Sequence, residues 1–340
     1  MINARKLGTY IATRRAISRD AREMGAAADR PSAYSLTTAW TILKRAWVKN
    51  GEHNLSLLAA GVAFYAFLSF VPLMGALVMA YGLVADASAV ARHMRLVIDL
   101  VPADAARLIY DQLTQLTQSS ADRKGLGLIV ALLVSLYGAS RASGAMISSL
   151  NIIYEEKDRR SYLRWTLVST ALAAGAVLAG MAGLIAASML SFAEAWAEDI
   201  GPAATTLIQI TTWMLAAAMC IVSIGAIYRF APNRADARWQ WLSLGSVLAT
   251  LLWLAATTGF GFYASRFGDY DATYGSLGAV VVLLLWLYLS AYAVLLGALV
   301  NAEAERQTSR DTTTGRERPM GERGATMADT SAALEASTIP

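Results

Sequence analysis

Six long apolar runs separated by polar stretches dominate the amino-acid sequence. They cover residues 55–84, 125–150, 163–190, 203–228, 241–264 and 276–301. The last run shows the pattern most clearly, because Leu277 to Val300 contains no charged residue in 24 positions. At about 1.5 Å per helical residue, such a run crosses a hydrocarbon core of roughly 30 Å. The pattern predicts an all-α, polytopic membrane protein with six transmembrane helices.

The composition and the placement of charge agree with a lipid environment. The 340 residues are 56% hydrophobic and 16% charged, whereas soluble proteins carry about 25% charged residues. Outside the runs, 22 Lys and Arg lie in the N-terminal arm, the 151–164 and 229–240 connections and the C-terminal tail, against 6 in the alternate connections. Positive residues accumulate on the cytoplasmic side. We therefore expect a multi-pass membrane protein with both termini in the cytoplasm, and no nucleic-acid partner.

The sequence divides into an N-terminal arm with an interfacial helix (1–50), a six-helix transmembrane domain (51–304) and a disordered cytoplasmic tail (305–340). In the arm, Trp40, Leu43 and Trp47 recur at helical spacing beside several cations. That pattern is typical of a helix lying in the membrane interface with its cations toward anionic headgroups. An ordinary amphipathic helix packed on protein would have the same pattern. A second amphipathic helix is predicted after Pro102, on the outer side between the first two spans.

The residues available for catalysis or metal binding are few. The two histidines, His53 and His93, are 40 residues apart and belong to no metal-binding motif. No phosphate-binding loop or nucleophile motif is found, and Cys220 is the single cysteine. We therefore predict no catalytic residues, no metal site and no cofactor, and expect the protein not to be an enzyme.

Arg141 is the one charge within the second apolar run, and the six runs contain no Asp or Glu. A guanidinium in the membrane costs from about 3 to more than 10 kcal/mol unless it is solvated or paired. Its partner could be an anionic lipid headgroup, because arginine binds phosphate through two parallel hydrogen bonds. Alternatively, Arg141 extends toward the cytoplasmic interface or caps a neighbouring helix.

Two further regions complete the candidate ligand-binding set. Asn151 follows the second run on the cytoplasmic side, and the outer turn between the last two runs carries five more candidates. These are Tyr263, Arg266, Asp269, Tyr270 and Tyr274. The outer turn would either recognise a headgroup or form an interfacial aromatic belt with an Arg–Asp pair.

Small residues recur every fourth position along the third run. They are Ala171, Gly175, Ala179, Gly183 and Ala187. On one helix face such residues allow a second helix to approach closely. The row predicts a helix–helix contact, either within the chain or with a protein partner or a second copy.

Four stretches of the sequence resemble the YihY/BrkB family of bacterial inner-membrane proteins, formerly labelled ribonuclease BN-like. They are AAGVAFYAFLSFVPLM (59–74), LNIIYEEKDRRSYL (150–163), YRFAPNR (228–234) and YDATYGSLGAVVVLLLWLY (270–288). The resemblance implies a six-helix bundle of its own fold type and no settled activity, with a role in moving or organising envelope lipids. One departure is Gly297-Ala298-Leu299, where the family tends to have Gly-Ala-Glu. An acidic function at that position would be absent here or carried by Glu303.

These observations lead to three functional hypotheses. The first is a transporter- or flippase-like protein that handles an anionic lipid or an envelope precursor through Arg141 and the outer turn. The second is a structural protein that organises envelope components. Ribonuclease activity is the third and has the least support, because two histidines cannot hold the zinc ions of such an enzyme.

Overall fold

The computed structural model describes residues 24–84, 121–179, 201–266 and 276–337. These residues form helices joined by turns, and the described part of the chain has no strand beyond one isolated bridge between Ala237 and Thr313. The predicted all-α class is confirmed. The helices are α1 (Leu36–Glu52), α2 (Leu55–Val84), α3 (Ala121–Ile153), α4 (Tyr162–Ala179), α5 (Pro202–Phe230), α6 (Trp239–Arg266), α7 (Ser276–Gln307), α8 (Thr326–Asp329) and α9 (Ala332–Ser337), after a short 3-10 turn (Pro31–Ala33).

Five described helices, α3 to α7, are long and apolar enough to cross a membrane. A sixth span results if α1 and the first part of α2 are counted as one bent segment. The polytopic architecture is thus confirmed, with five to six candidate spans among the described residues. The amphipathic helix predicted after Pro102 lies outside the described residues.

The break between α1 and α2 has a local cause. The Ser35 side chain caps the start of α1 by accepting the Thr38 N–H at 3.2 Å. At the other end Asn54 adopts φ 50°, a left-handed conformation that asparagine tolerates better than most residues. The chain therefore turns, and α2 leaves at 66° to α1.

The chain divides into two compact units. The first contains the described residues of 1–58, 146–254 and 292–340, and the second contains those of 59–145 and 255–291. In the second unit, α3 packs closely on α2, because a Cβ added to Gly138 would lie 2.8 Å from Ser69. The Trp286 indole N–H also donates to Thr257 Oγ1 at 3.3 Å.

In the first unit, α6 and α7 meet at two glycines. A Cβ added to Gly245 would lie 2.1 Å from the Gly297 carbonyl oxygen, and one added to Gly297 would lie 2.4 Å from that of Gly245. Asn301 fixes this contact by accepting the Gly245 N–H at 2.6 Å and donating to the Leu242 carbonyl at 3.0 Å. Small residues at this position let the two backbones touch.

The prediction of a disordered tail is wrong for the described residues 308–337. Thr308, Thr312 and Arg323 are buried. The Thr308 hydroxyl donates to the Ala28 carbonyl at 2.6 Å, and the Arg323 guanidinium donates to the Ser309 carbonyl at 2.8 Å. The tail is ordered by hydrogen bonds between side chains and backbone, which leave no apolar periodicity in the sequence.

Replacing Gly245 by alanine should destabilise the first unit, because its methyl group would overlap the α7 backbone. Overpacking of this kind costs about 1–3 kcal/mol. The thermal midpoint of the purified protein in detergent, read by fluorescence-detected size exclusion, should fall. Gly61→Ala on α2 is the matched control, since a Cβ there meets no atom within 4 Å, and it should leave the midpoint unchanged or raised. Equal midpoints for the two variants would contradict the close contact.

Candidate functional site

Arg141 lies midway along the candidate span Ile129–Ile153 of α3. Its side chain is exposed, and its guanidinium carbon is 5.1 Å from the centre of the Tyr137 ring. Val130, Leu133 and Tyr137 are also more than half exposed and share this helix face. Arg141 therefore continues an exposed apolar stripe, while Gly138 faces α2.

This setting leaves the charge of Arg141 without a described counterion. Among the described residues, no carboxylate lies within ion-pair distance of its guanidinium. Stacking on Tyr137 is worth about 0.5–2 kcal/mol, less than the cost of placing a guanidinium at this depth. The twelve residues to either end of the span correspond to about 18 Å. Arg141 therefore needs water or an anion to stabilise it.

The outer-turn candidates are only partly covered by the structure. Tyr263 and Arg266 belong to the last turns of α6, and their side chains lie outside the description. Asp269, Tyr270 and Tyr274 lie outside the described residues. Their proposed role at a headgroup stays a prediction.

Asn151 is located in the last turn of α3, in the first unit, and is 5% exposed. Its side-chain oxygen Oδ1 accepts the backbone N–H of Asn233 at 2.7 Å, and its side-chain nitrogen Nδ2 donates to Asp158 Oδ2 at 3.2 Å. Arg160 reaches the same loop and donates to the Ala231 carbonyl at 2.8 Å. The structure thus uses both polar atoms of Asn151 to join two connections of the chain.

A buried ion pair joins Arg234 and Glu305 in the first unit. Two parallel hydrogen bonds of 2.7 Å join them, and each side chain is 2% exposed. The guanidinium also stacks on Tyr154, with its carbon 4.7 Å from the ring centre, and Thr312 donates to the carboxylate. Burial alone would lower the pKa of Arg234, but the Glu305 carboxylate outweighs it and raises that pKa. The Arg234 guanidinium therefore stays protonated.

A second carboxylate near the end of α7 is also used within the chain. Glu303 is 1% exposed and accepts from Arg45 Nε at 2.8 Å, while Arg45 Nη2 donates to the Glu303 carbonyl at 3.1 Å. This connects α7 to α1. Glu303, which the sequence indicates as a possible replacement for the acid of the family, therefore binds a cation of the same chain.

The sequence did not predict these pairings. Arg234 and Glu305 are 71 positions apart, so no local spacing relates them. The available signal was the presence of Glu303 and Glu305 immediately after an apolar run, where uncompensated carboxylates would be costly. Among the described residues, no group of three or more His, Cys, Asp and Glu side chains could hold a metal ion.

The helices and their charge distribution define a polytopic α-helical membrane protein. The family model described as Virulence factor BrkB matches residues 46–321. The chain belongs to this family, which confirms the resemblance found in the sequence.

Its relatives carry general names. YfkH of Bacillus subtilis, named as a ribonuclease-like protein, is 30% identical over 204 residues, covering 59% of this chain and 73% of its own. UPF0761 membrane proteins of Tolumonas auensis and Cronobacter sakazakii are 27% and 29% identical. These alignments cover 74% and 76% of this chain, and 81% and 86% of the relatives. No solved structure matches. Membership in a bacterial membrane family agrees with the inner membrane, and the orientation of the termini stays a prediction.

Replacing Glu305 by glutamine should strongly destabilise the protein, because it leaves the Arg234 charge buried and unpaired. Breaking one side of a buried pair costs about 3–5 kcal/mol. Arg234→Met combined with Glu305→Gln should recover much of the loss in folded yield and thermal midpoint, since no buried charge remains. A double variant as unstable as the single one would show that the charge pairing is not what matters. Asp29→Asn, which changes an exposed carboxylate outside the pair, is the control.

Proposed function

We propose that this membrane protein binds an anionic lipid, or an anionic envelope precursor, and moves its headgroup across the inner membrane as a transporter or flippase does. The observation that carries the proposal is Arg141, an exposed cation midway along a membrane-spanning helix with no described carboxylate partner. Movement would be passive or driven by an energising partner. No catalytic step is assigned to the protein.

The chemistry of the headgroup follows from the chemistry of arginine. A phosphate diester carries one negative charge and offers two oxygens to the planar guanidinium, so two parallel hydrogen bonds can form. Such charge-assisted bonds strengthen in a medium of low dielectric constant, where water competes less. A bound phosphate would therefore supply the stabilisation that stacking on Tyr137 alone does not.

The apolar stripe beside Arg141 fits the other part of a lipid. Val130, Leu133 and Tyr137 lie on the same face of α3 and are more than half exposed. Acyl chains could lie against this face while the headgroup contacts the guanidinium. The outer-turn residues Tyr263 and Arg266, with Asp269, Tyr270 and Tyr274, would receive the headgroup at the far side of the membrane.

Arg141→Gln should reduce transfer of a fluorescent phosphatidylglycerol between the leaflets of reconstituted vesicles by about tenfold or more. This factor corresponds to the loss of charge-assisted hydrogen bonds, which are worth about 1.5–3 kcal/mol. Arg141→Lys should retain part of the activity, because an ammonium keeps the charge but not the bidentate geometry. An impermeant reductant that bleaches the outer leaflet provides the readout, and lipid binding to the detergent-purified protein provides a second.

The matched control is Arg159→Gln, which removes an exposed cation from a connection. It should leave transfer and binding unchanged. The proposal fails if both Arg141 variants transfer and bind the lipid like the unmodified protein. It also fails if their only defect is loss of folded protein, which would make Arg141 a structural residue.

A second candidate function, organising other envelope proteins, is supported by the part of the small-residue row that lies on α4; Gly183 and Ala187 lie outside the described residues. Ala171 and Gly175 are exposed, and a Cβ added to Gly175 meets no described atom within 4 Å. Only 6% of the 18 residues of α4 are buried within the chain. Small-residue rows favour close contact between membrane helices, so this face suits a partner protein or a second copy of the chain.

Gly175→Leu should abolish such an association without lowering the thermal midpoint, because the added side chain enters open space. Crosslinking in cell membranes and the mass of the purified complex provide the measurements. Val177→Leu, on another face of the same helix and 49% exposed, should leave the association intact. A monomeric protein without a stoichiometric crosslinked partner would rule out the organising role.

A further inference from the structure

A groove of about 230 Å³ lies between α1 and the end of α7 in the first unit. Four cationic and two anionic side chains line it, together with one valine. The lining residues are Lys44, Arg45, Val48, Lys49, Glu52, Glu303 and Arg306. The groove is therefore positively charged, and none of its residues belongs to the candidate set around Arg141.

The two carboxylates of the groove are already occupied. Glu303 accepts from Arg45 at 2.8 Å, and Glu52 lies 3.2 Å from the Lys49 ammonium. Lys49 also contacts Glu155 at 3.1 Å. These contacts balance Arg45 and Lys49, and of the two remaining cations Lys44 has no carboxylate partner among the described residues.

Lys44 and Arg306 retain unused hydrogen-bond donors. The Lys44 ammonium lies 5.8 Å from the centre of the Trp40 ring and has no carboxylate partner among the described residues. Arg306 Nη2 donates to Glu335 at 3.0 Å, but Glu335 is 55% exposed, so water weakens this pair. Arg306 Nε is buried and has no hydrogen-bond partner in the described part of the chain. An anion in the groove can contact the Lys44 ammonium and the Arg306 side chain, of which 22% is exposed.

The groove borders an apolar face that is open to the surroundings. Leu36, Trp40, Leu43 and Trp47 recur every three or four residues along α1 and are 91%, 60%, 42% and 69% exposed. Val48, itself 60% exposed, connects this face to the groove. Tryptophan exposed beside cations is typical of helices at the membrane–water interface.

The opposite face of α1 is attached to the protein. Ile42 and Ala46 are buried, and the hydroxyl of Tyr34 just before the helix donates to the Ala304 carbonyl at 2.7 Å. One face of α1 therefore packs on protein, and the other has no cover among the described residues; its place in the membrane interface stays a prediction. These contacts fix the position of the aromatic face of α1 relative to the groove.

We propose that this groove binds the phosphate of an anionic membrane phospholipid, with an acyl chain lying along Trp47 and Val48. Charge selects the occupant: Lys44 has no carboxylate partner among the described residues, the partner of Arg306 is a carboxylate more than half exposed to water, and both groove carboxylates are paired. The adjoining apolar face distinguishes a lipid from a free anion, because a free phosphate leaves Trp47 and Val48 exposed. The proposal is independent of lipid transfer by Arg141, which belongs to the other compact unit.

Binding of phosphatidylglycerol and phosphatidylcholine to the full chain, counted by native mass spectrometry at low ionic strength, tests this site. All variants carry Arg141→Gln so that the α3 site does not contribute. Each cation near an anionic lipid is worth about 1 kcal/mol, which corresponds to about fivefold in the dissociation constant. Lys44→Gln and Arg306→Gln should each weaken phosphatidylglycerol binding by about that factor and leave phosphatidylcholine binding unchanged. Trp47→Ala should weaken the binding of both lipids.

The control for Arg306→Gln is Glu335→Gln, which breaks the same ion pair but keeps the cation. It should preserve or tighten phosphatidylglycerol binding. The proposal is overturned if Arg306→Gln and Glu335→Gln weaken binding equally, since the pair would then act structurally. It is also overturned if the unmodified groove does not distinguish the two lipids, or if millimolar inorganic phosphate displaces phosphatidylglycerol, which would indicate a site for free anions.

Discussion

The buried ion pair between Arg234 and Glu305 is the interaction on which the first compact unit depends. Its two parallel hydrogen bonds join the α5–α6 connection to the end of α7, and Tyr154 and Thr312 complete its surroundings. A charge buried without its partner is costly, whereas a fully paired one is tolerated. Three regions that are distant in the sequence, around Tyr154, around Arg234 and at residues 305–312, must therefore come together, and the last of them leads into the C-terminal tail. The order of the tail follows from this constraint.

The helices could be predicted from the sequence because lipid imposes a simple rule. A chain segment in hydrocarbon must satisfy its own backbone hydrogen bonds and present apolar side chains, so each span is a long apolar run. The end of α7 follows the rule only in part: its last turns carry Glu303 and Glu305, which are stable there because Arg45 and Arg234 meet them. The tail could not be predicted, since its contacts, such as that of Thr308 with the Ala28 carbonyl, follow no periodic pattern.

The candidate site divides in the same way. Arg141 could be found from the sequence because a charge within an apolar run needs an explanation whatever the fold. Its position on the exposed stripe with Tyr137 could not, because that depends on α3 using the Gly138 face against α2. Asn151 is the opposite case. The sequence makes it a ligand-binding candidate, but both polar atoms of its side chain form hydrogen bonds within the chain. The groove beside α1 could be predicted only in part. The cations of α1 are recognisable in the sequence, but Arg306 reaches them only through tertiary contact.

The location of the two carboxylates on the last long helix also has a consequence for biosynthesis. A ribosome completes Arg45 and Arg234 well before residues 303 and 305 emerge, so both guanidiniums have no acidic partner while the earlier helices insert. The first unit can close only when the final helix arrives, which makes its assembly a late step. A nascent chain released before that point leaves Arg45 and Arg234 without these carboxylates, and Gly245 without the α7 backbone that packs against it.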